Sequence, residues 1–312
     1  MNKLKKIGLT ALAGSMVATA AATAADVTVG ASWALSYTGQ DSDENGGPAS
    51  WTMGDSVTFT TTGELDNGWT ATAYFELDDD SMDDQKLTLD MGEFGTVGFA
   101  DGTAHGYGID NVKNFVPGAD TPIYMVGLTM SAYVGGAGTT GNLAYQLALG
   151  DTGLTIGAEQ EVAEAGGYSK SMSIKYENDD VGFKIGVGVA ELEPDNGSGG
   201  DDQTAVGASY TAGGFTIGAN HNEYDYGSTA TNDIDNQHYG ISYQVNDDLT
   251  VSYAILNHQI DSAAEDEELV QYAASYTIGS IKFAGRVTKQ SSSGGTAGND
   301  DITKHLTMSL TF

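Results

Sequence analysis

The densest reactive chemistry in this chain is carboxylate chemistry. The run Asp78-Asp79-Asp80-Ser81-Met82-Asp83-Asp84 collects hard oxygen donors, and Glu265-Asp266-Glu267-Glu268 forms a second cluster. Such donors suit Ca2+ or Mg2+, yet neither run has the twelve-residue loop spacing or the turn glycine of a calcium-binding hand. Two readings therefore stand for Asp78, Asp79, Asp80, Asp83 and Asp84: a Ca2+ site, or solvated acids on a loop. The missing spacing favours solvated acids. The five histidines (His105, His221, His238, His258, His305) are scattered, with no HExxH pair. Gly106-Tyr107-Gly108 lies in no strand–helix unit that would make it a phosphate cradle. The chain has no cysteine, which removes thiolate metal sites, thiol nucleophiles and disulfides. No cofactor and no catalysis are expected.

What remains is electrostatics. With 43 acids against 12 bases the formal net charge is −31. Nucleic acids and anionic surfaces are poor partners for such a chain, and cations are good ones. The elements that position these charges are read from the chain start onward. Met1-Asn2-Lys3-Leu4-Lys5-Lys6 is a basic start, residues 7–25 are apolar and small, and Ala22-Thr23-Ala24 is a small-residue cleavage site. This pattern is a secretory leader. We place its removal after Ala24, with Ala25 as second choice, leaving 25–312 as the mature domain. That part has no apolar run long enough for a membrane helix.

The strongest pattern is alternation with period two. In 301–312, Ile302, Leu306, Met308, Leu310 and Phe312 fall on one face, and Thr303, His305, Thr307, Ser309 and Thr311 on the other. In 181–191, Val181, Phe183, Ile185, Val187 and Val189 oppose Gly182, Lys184, Gly186 and Gly188. Sixteen such segments can be counted, and their connections alternate in length. Short turns such as Asp66-Asn67-Gly68, Asn178-Asp179-Asp180 and Asn246-Asp247-Asp248 alternate with long polar segments: 39–54, 78–84, 102–141, 161–167, 192–202, 224–235, 258–267 and 290–300. Short turns on one rim and long loops on the other predict an all-β, up-and-down antiparallel transmembrane barrel. Residues 123–134 are apolar enough for strands of their own, which would make eighteen. Strict alternation of connection lengths favours sixteen, with 102–141 as one long loop.

On such a barrel the apolar faces meet lipid, with aromatics such as Phe75, Tyr145, Tyr243 and Phe283 near strand ends. The other faces carry Thr, Ser, Gly, Gln and a few charges, too small to fill so wide a cylinder, so the interior is water.

The start Ala25-Asp26-Val27-Thr28-Val29-Gly30, the hairpin Glu93-Phe94-Gly95-Thr96-Val97-Gly98 before the longest loop, and the terminal Phe312 carry a family likeness. Over its whole mature length the chain resembles the trimeric general porins of Gram-negative outer membranes, nearest their alphaproteobacterial branch. The resemblance implies a passive diffusion pore for small hydrophilic solutes and ions, and a homotrimer in contact with lipid and lipopolysaccharide. It also implies that 102–141 is the third loop, folded into the barrel, and that Phe312 is the signal read by the outer-membrane assembly machinery. Carried over to this chain, the constriction acids are Asp110 and Asp120, with Lys113 and His105 on the same loop. The lumen-facing bases by parity are Lys86, Lys175, Lys184, Lys282 and Arg286. The chain departs from the family in lacking an arginine cluster: Arg286 is the single arginine. The excess of acids predicts cation selectivity. The rival functions are a solute-specific porin, a barrel enzyme with a Ser or Asp beside a His at one rim, and a plugged structural barrel.

Overall fold

The computed structural model describes residues 26–42, 49–78, 81–101, 105–112, 115–119, 139–163, 168–193, 200–227 and 233–312. The strands are β1 (Asp26–Ser42), β2 (Ser50–Glu64), β3 (Thr70–Asp78), β4 (Ser81–Asp90), β5 (Thr96–Asp101), β6 (Thr139–Ala148), β7 (Leu154–Ala163) and β8 (Tyr168–Asn178). They continue as β9 (Phe183–Glu193), β10 (Asp201–Ala212), β11 (Phe215–Asp225), β12 (Ile234–Gln244), β13 (Leu249–Ile260), β14 (Glu267–Ile278), β15 (Ile281–Ser291) and β16 (Asp301–Thr311). Each pairs antiparallel with its neighbours in sequence, and β16 pairs with β1 to close the cylinder. Closure satisfies every strand edge, which is what a sheet needs in lipid, where no water can pair stray N–H and C=O groups.

The seam is completed by the last residue. Phe312 donates its N–H to the Ala31 carbonyl at 2.9 Å and accepts from Ala31 at 3.2 Å, while its ring stands edge-on to Trp33. The short turns are closed by local chemistry. Asn246 Oδ1 accepts the N–H groups of Asp248 and Leu249 at 2.9 and 2.8 Å, so the asparagine side chain stands in for a backbone acceptor. Gly182 has φ of +70° and lies against the Thr211 carbonyl, so a side chain there would be both strained and blocked.

Outward faces are apolar and open. Met53 is 71% exposed and Val189 51%, values suited to lipid and not to a soluble surface. Cross-strand aromatic pairs reinforce this wall, with Phe215 stacked on Tyr243 at 4.2 Å and Phe59 on Phe75 at 4.7 Å.

β5 pairs directly with β6, so the cylinder closes with sixteen strands and needs nothing from 123–134, which lies outside the described residues. The loop is shorter than the expected 102–141, because β6 starts at Thr139. The expected acidic connection 78–84 is also different. β3 ends at Asp78 and β4 begins at Ser81, with Leu77 opposite Met82 and Asp78 opposite Ser81. Asp83 and Asp84 are therefore strand residues, on a hairpin that runs past the apolar band, where polarity no longer distinguishes strand from loop.

Candidate functional site

The barrel interior is not empty on one side. Residues 105–112 and 115–119 lie along the inner wall at mid-height, passing from β7 to β13. The wall is shaped to receive them by glycines on inward-facing positions. A Cβ at Gly157 would strike the Tyr107 carbonyl, at Gly188 the Val112 and Ile109 side chains, and at Gly207 the Phe115 ring. One at Gly218 would meet the Phe115 carbonyl, and one at Gly240 the Val116 side chain. In the short 3-10 turn Ile109–Val112, positions three apart share a face. Ile109 and Val112 use that face to bury themselves with Phe115, Ala190 and Ala205. Val116 packs with Ala254, Leu256 and Leu269. Asp110 and Asn111 lie between Ile109 and Val112 and are half-buried.

Polar anchors fix the register of this segment. The Glu159 carboxylate, 5% exposed, accepts four consecutive backbone N–H groups, those of His105, Gly106, Tyr107 and Gly108, at 2.7 to 3.3 Å. A buried anion is costly unless it is met by donors, and here each oxygen receives two. Further along, Ser173 donates to the Tyr107 carbonyl at 2.9 Å, and Asn220 accepts from Phe115 N–H while donating to the Val112 carbonyl. Ala119 N–H reaches the Ser252 hydroxyl at 2.8 Å. Sequence reading missed these anchors. Their signal is a carboxylate or asparagine two residues after a glycine on the inward parity: Glu159 after Gly157 on β7, and Asn220 after Gly218 on β11.

The lumen opposite the loop is bounded by β15, β16 and β1–β4, and the inward faces of β16, β1 and β2 are rich in Thr and Ser. Ser32 meets Ser56 at 2.9 Å and Thr62 meets Thr72 at 3.2 Å across neighbouring strands. Lys86 shares its inward face with Thr88, and Arg286 stands opposite His305 in register. On the loop, the His105 ring covers Gly98 of β5. Burial, first, and the nearby Lys86 ammonium hold the His105 imidazole below its usual pKa, against the pull of a backbone hydrogen bond and Glu159. His105 therefore adds no charge at neutral pH.

The expected basic residues do not form one group. Lys175 pairs with Glu177 at 3.0 Å, and Lys184 pairs with the same carboxylate and lies 3.8 Å from Asp179. This trio sits at the short-turn end, because Lys184 is the second residue of β9 and directly opposes Glu177. Lys282 is likewise the second residue of β15. Only Lys86 and Arg286 stand at mid-height with the loop. Asp120 and Lys113 lie outside the described residues, as do Asp79 and Asp80. Glu267 is buried inside the wall against Gln290, whereas Glu268 takes the outward parity, so the second acidic run is split between the two faces of β14.

A closed sixteen-stranded cylinder with a loop laid inside it is the arrangement that decides the family. The sequence matches the Gram-negative porin family over residues 8–295. The chain belongs to that family. Among solved structures, a Salmonella typhi OmpF complexed with daunomycin aligns with 92% of this chain and 97% of its own, with a TM-score of 0.71 at 16% identity. An anion-selective porin from Comamonas acidovorans aligns with 92% of this chain and all of its own, with a TM-score of 0.69 at 12% identity. A triply substituted Rh. blastica porin gives a TM-score of 0.60 at 16% identity, over 92% of this chain and all of its own. No curated protein matches the chain. This porin is a channel of the Gram-negative outer membrane and not an enzyme.

Proposed function

We propose that this porin is a cation-preferring diffusion pore whose narrowest point is set by the loop segment held on Glu159. The observation that carries this reading is the asymmetry of charge between mid-height and the long-loop rim. The Ser- and Thr-lined wall offers Lys86 and Arg286, while Glu76, Asp84 and the loop Asp110 bring carboxylates to the same lumen, with Asp120 further along the loop. The clustering of Lys175 and Lys184 with two carboxylates, Glu177 and Asp179, at the short-turn end removes two other bases from the balance. The fold by itself does not fix the sign of selectivity, since one structural neighbour is an anion-selective porin.

The mechanism is size exclusion at the loop plus an electrostatic bias from the lining. In a water-filled pore that bias reaches about one Debye length, roughly 10 Å at 0.1 M salt. The zero-current potential across a planar bilayer under a KCl gradient tests this directly: potassium preference is expected, and chloride preference overturns the reading.

The same proposal includes a homotrimer, contact with lipopolysaccharide, removal of residues 1–24, and recognition of Phe312 by the assembly machinery. The family likeness and the open apolar outer wall support the trimer and the lipid contact; the basic start and small-residue site support the leader. Ca2+ at Asp78, Asp83 and Asp84 belongs to this group as a loose, diffuse association. Among the described residues these three carboxylates do not gather into one metal-sized cluster.

A further inference from the structure

The acids on the outside of the barrel do something the pore does not need. On β11 the outward residues run Phe215, Ile217, Ala219 and then change to His221, Glu223 and Asp225. On β12 they run Tyr243, Ile241, Tyr239 and then change to Gln237 and Asp235. The two changes occur at the same height, because Ala219 opposes Tyr239 and His221 opposes Gln237. Immediately above that border, Glu223 and Asp235 face each other directly across the strands. Like charges in opposed positions destabilise a sheet. Asp202, Asp225, Asp233 and Asp261 deepen the negative field there.

We propose that His221, Glu223 and Asp235 form a binding site for a zinc-class divalent cation on the outer wall, at the upper border of the apolar band. Three ligand atoms, one from each residue, lie within 4.8 Å of one another. His221 Nε2 is 2.7 Å from Asp235 Oδ2 and 3.7 Å from Glu223 Oε1. Bonds of about 2.0–2.1 Å in tetrahedral geometry place neighbouring ligands about 3.3 Å apart, between those two distances. Side-chain shifts of about half an ångström make the site without moving a strand.

The carboxylates are also oriented from behind. The Thr204 hydroxyl donates to Glu223 Oε2 at 3.3 Å, and Gln237 Nε2 donates to Asp235 Oδ1 at 3.2 Å. Each carboxylate thus has one oxygen held by a neutral donor and the other turned towards the imidazole, the outer-shell arrangement that tunes metal ligands. The cation takes the place of the proton that Nε2 gives to Asp235 in the 2.7 Å contact, and that proton passes through water to Nδ1. Two carboxylates and one neutral imidazole neutralise a divalent charge. The nitrogen selects zinc and its neighbours over Ca2+ and Mg2+, which prefer all-oxygen shells. With 40% exposure at His221, 50% at Glu223 and 31% at Asp235, the remaining positions are open to water.

The test uses the untagged, folded protein in detergent with Zn2+ or Co2+ alone. One tight ion per chain is expected, with a visible Co2+ absorption band and no displacement by equal Ca2+. His221→Ala, or His221→Asn if the first fails to fold, should abolish that band and the tight ion while conductance stays at the parent value. Thr204→Ala should weaken binding by about tenfold through loss of its support. Zn2+ uptake that is unchanged in the His221 variants, or absent from the parent, overturns the site.

Discussion

The Glu159 carboxylate accepts the backbone N–H of Gly108 at 3.1 Å, with both groups buried against β7. This contact ends a run of four that pins the start of the pore loop to the inner wall. Glu159→Ala should leave these amides to water and free the segment. Donors that lose a buried partner cost about 1–3 kcal/mol each. Larger and noisier single-channel steps are expected, with the barrel still resistant to detergent; steps identical to the parent would show that the packing of Ile109 and Val112 suffices.

Gly188 is a second support, and its effect is steric. A Val side chain there would collide with Val112 and Ile109. Overpacking of this kind costs about 1–3 kcal/mol, more than a loop seated on two small clusters can absorb. Gly188→Val should therefore change conductance and expose the loop to protease. Gly63, whose added Cβ meets nothing, should tolerate the same replacement.

Selectivity should depend on salt and on the loop acids. Replacing Asp110 and Asp120 by Asn should reduce potassium preference at low salt without closing the channel. The difference should fade towards 1 M, where the Debye length falls to about 3 Å. A zero-current potential unaffected by the double replacement would remove the loop from the mechanism.

Not all lumen bases should count equally. Lys86→Gln should raise potassium preference, since Lys86 stands beside the loop. Lys184→Gln should change it little, because Lys184 is already balanced by Glu177. Equal effects from the two would argue that position along the pore is irrelevant.

His105 gives a pH prediction. Its imidazole is held below its usual pKa by burial, so the folded loop disfavours the proton. The seated loop is at full stability above the ordinary histidine range and loses stability as pH falls through it. Conductance should hold steady from neutral to alkaline pH and become unsteady on acidification, and His105→Gln should suppress that change.

The strands were legible because period-two alternation and turn chemistry mark them independently, even though the β3–β4 connection proved shorter than its neighbours. The loop's seat was not legible. Gly186, Gly188 and Gly207 look like weak points in a strand until the chain they accommodate is seen above them. The pairing of Lys184 with Glu177 was not legible, because a turn over Asn178-Asp179-Asp180 would set Glu177 opposite Val181, whereas the chain turns over 179–182. The acidic run 78–84 was misread because above the apolar band a strand keeps its ladder while its side chains become uniformly polar. The outer-wall His221 was missed for the opposite reason: its partners Glu223 and Asp235 come from two strands, and only pairing brings them together.

The hydrogen bonds between Ala31 and Phe312 extend the ladder between β1 and β16, so the cylinder cannot close until both of those strands are present. Every contact across that seam joins opposite ends of the chain, the costliest kind of loop closure in a folding reaction. Until those strands meet, one edge of each lacks a partner, and the net charge of −31 opposes edge-to-edge joining of two such chains.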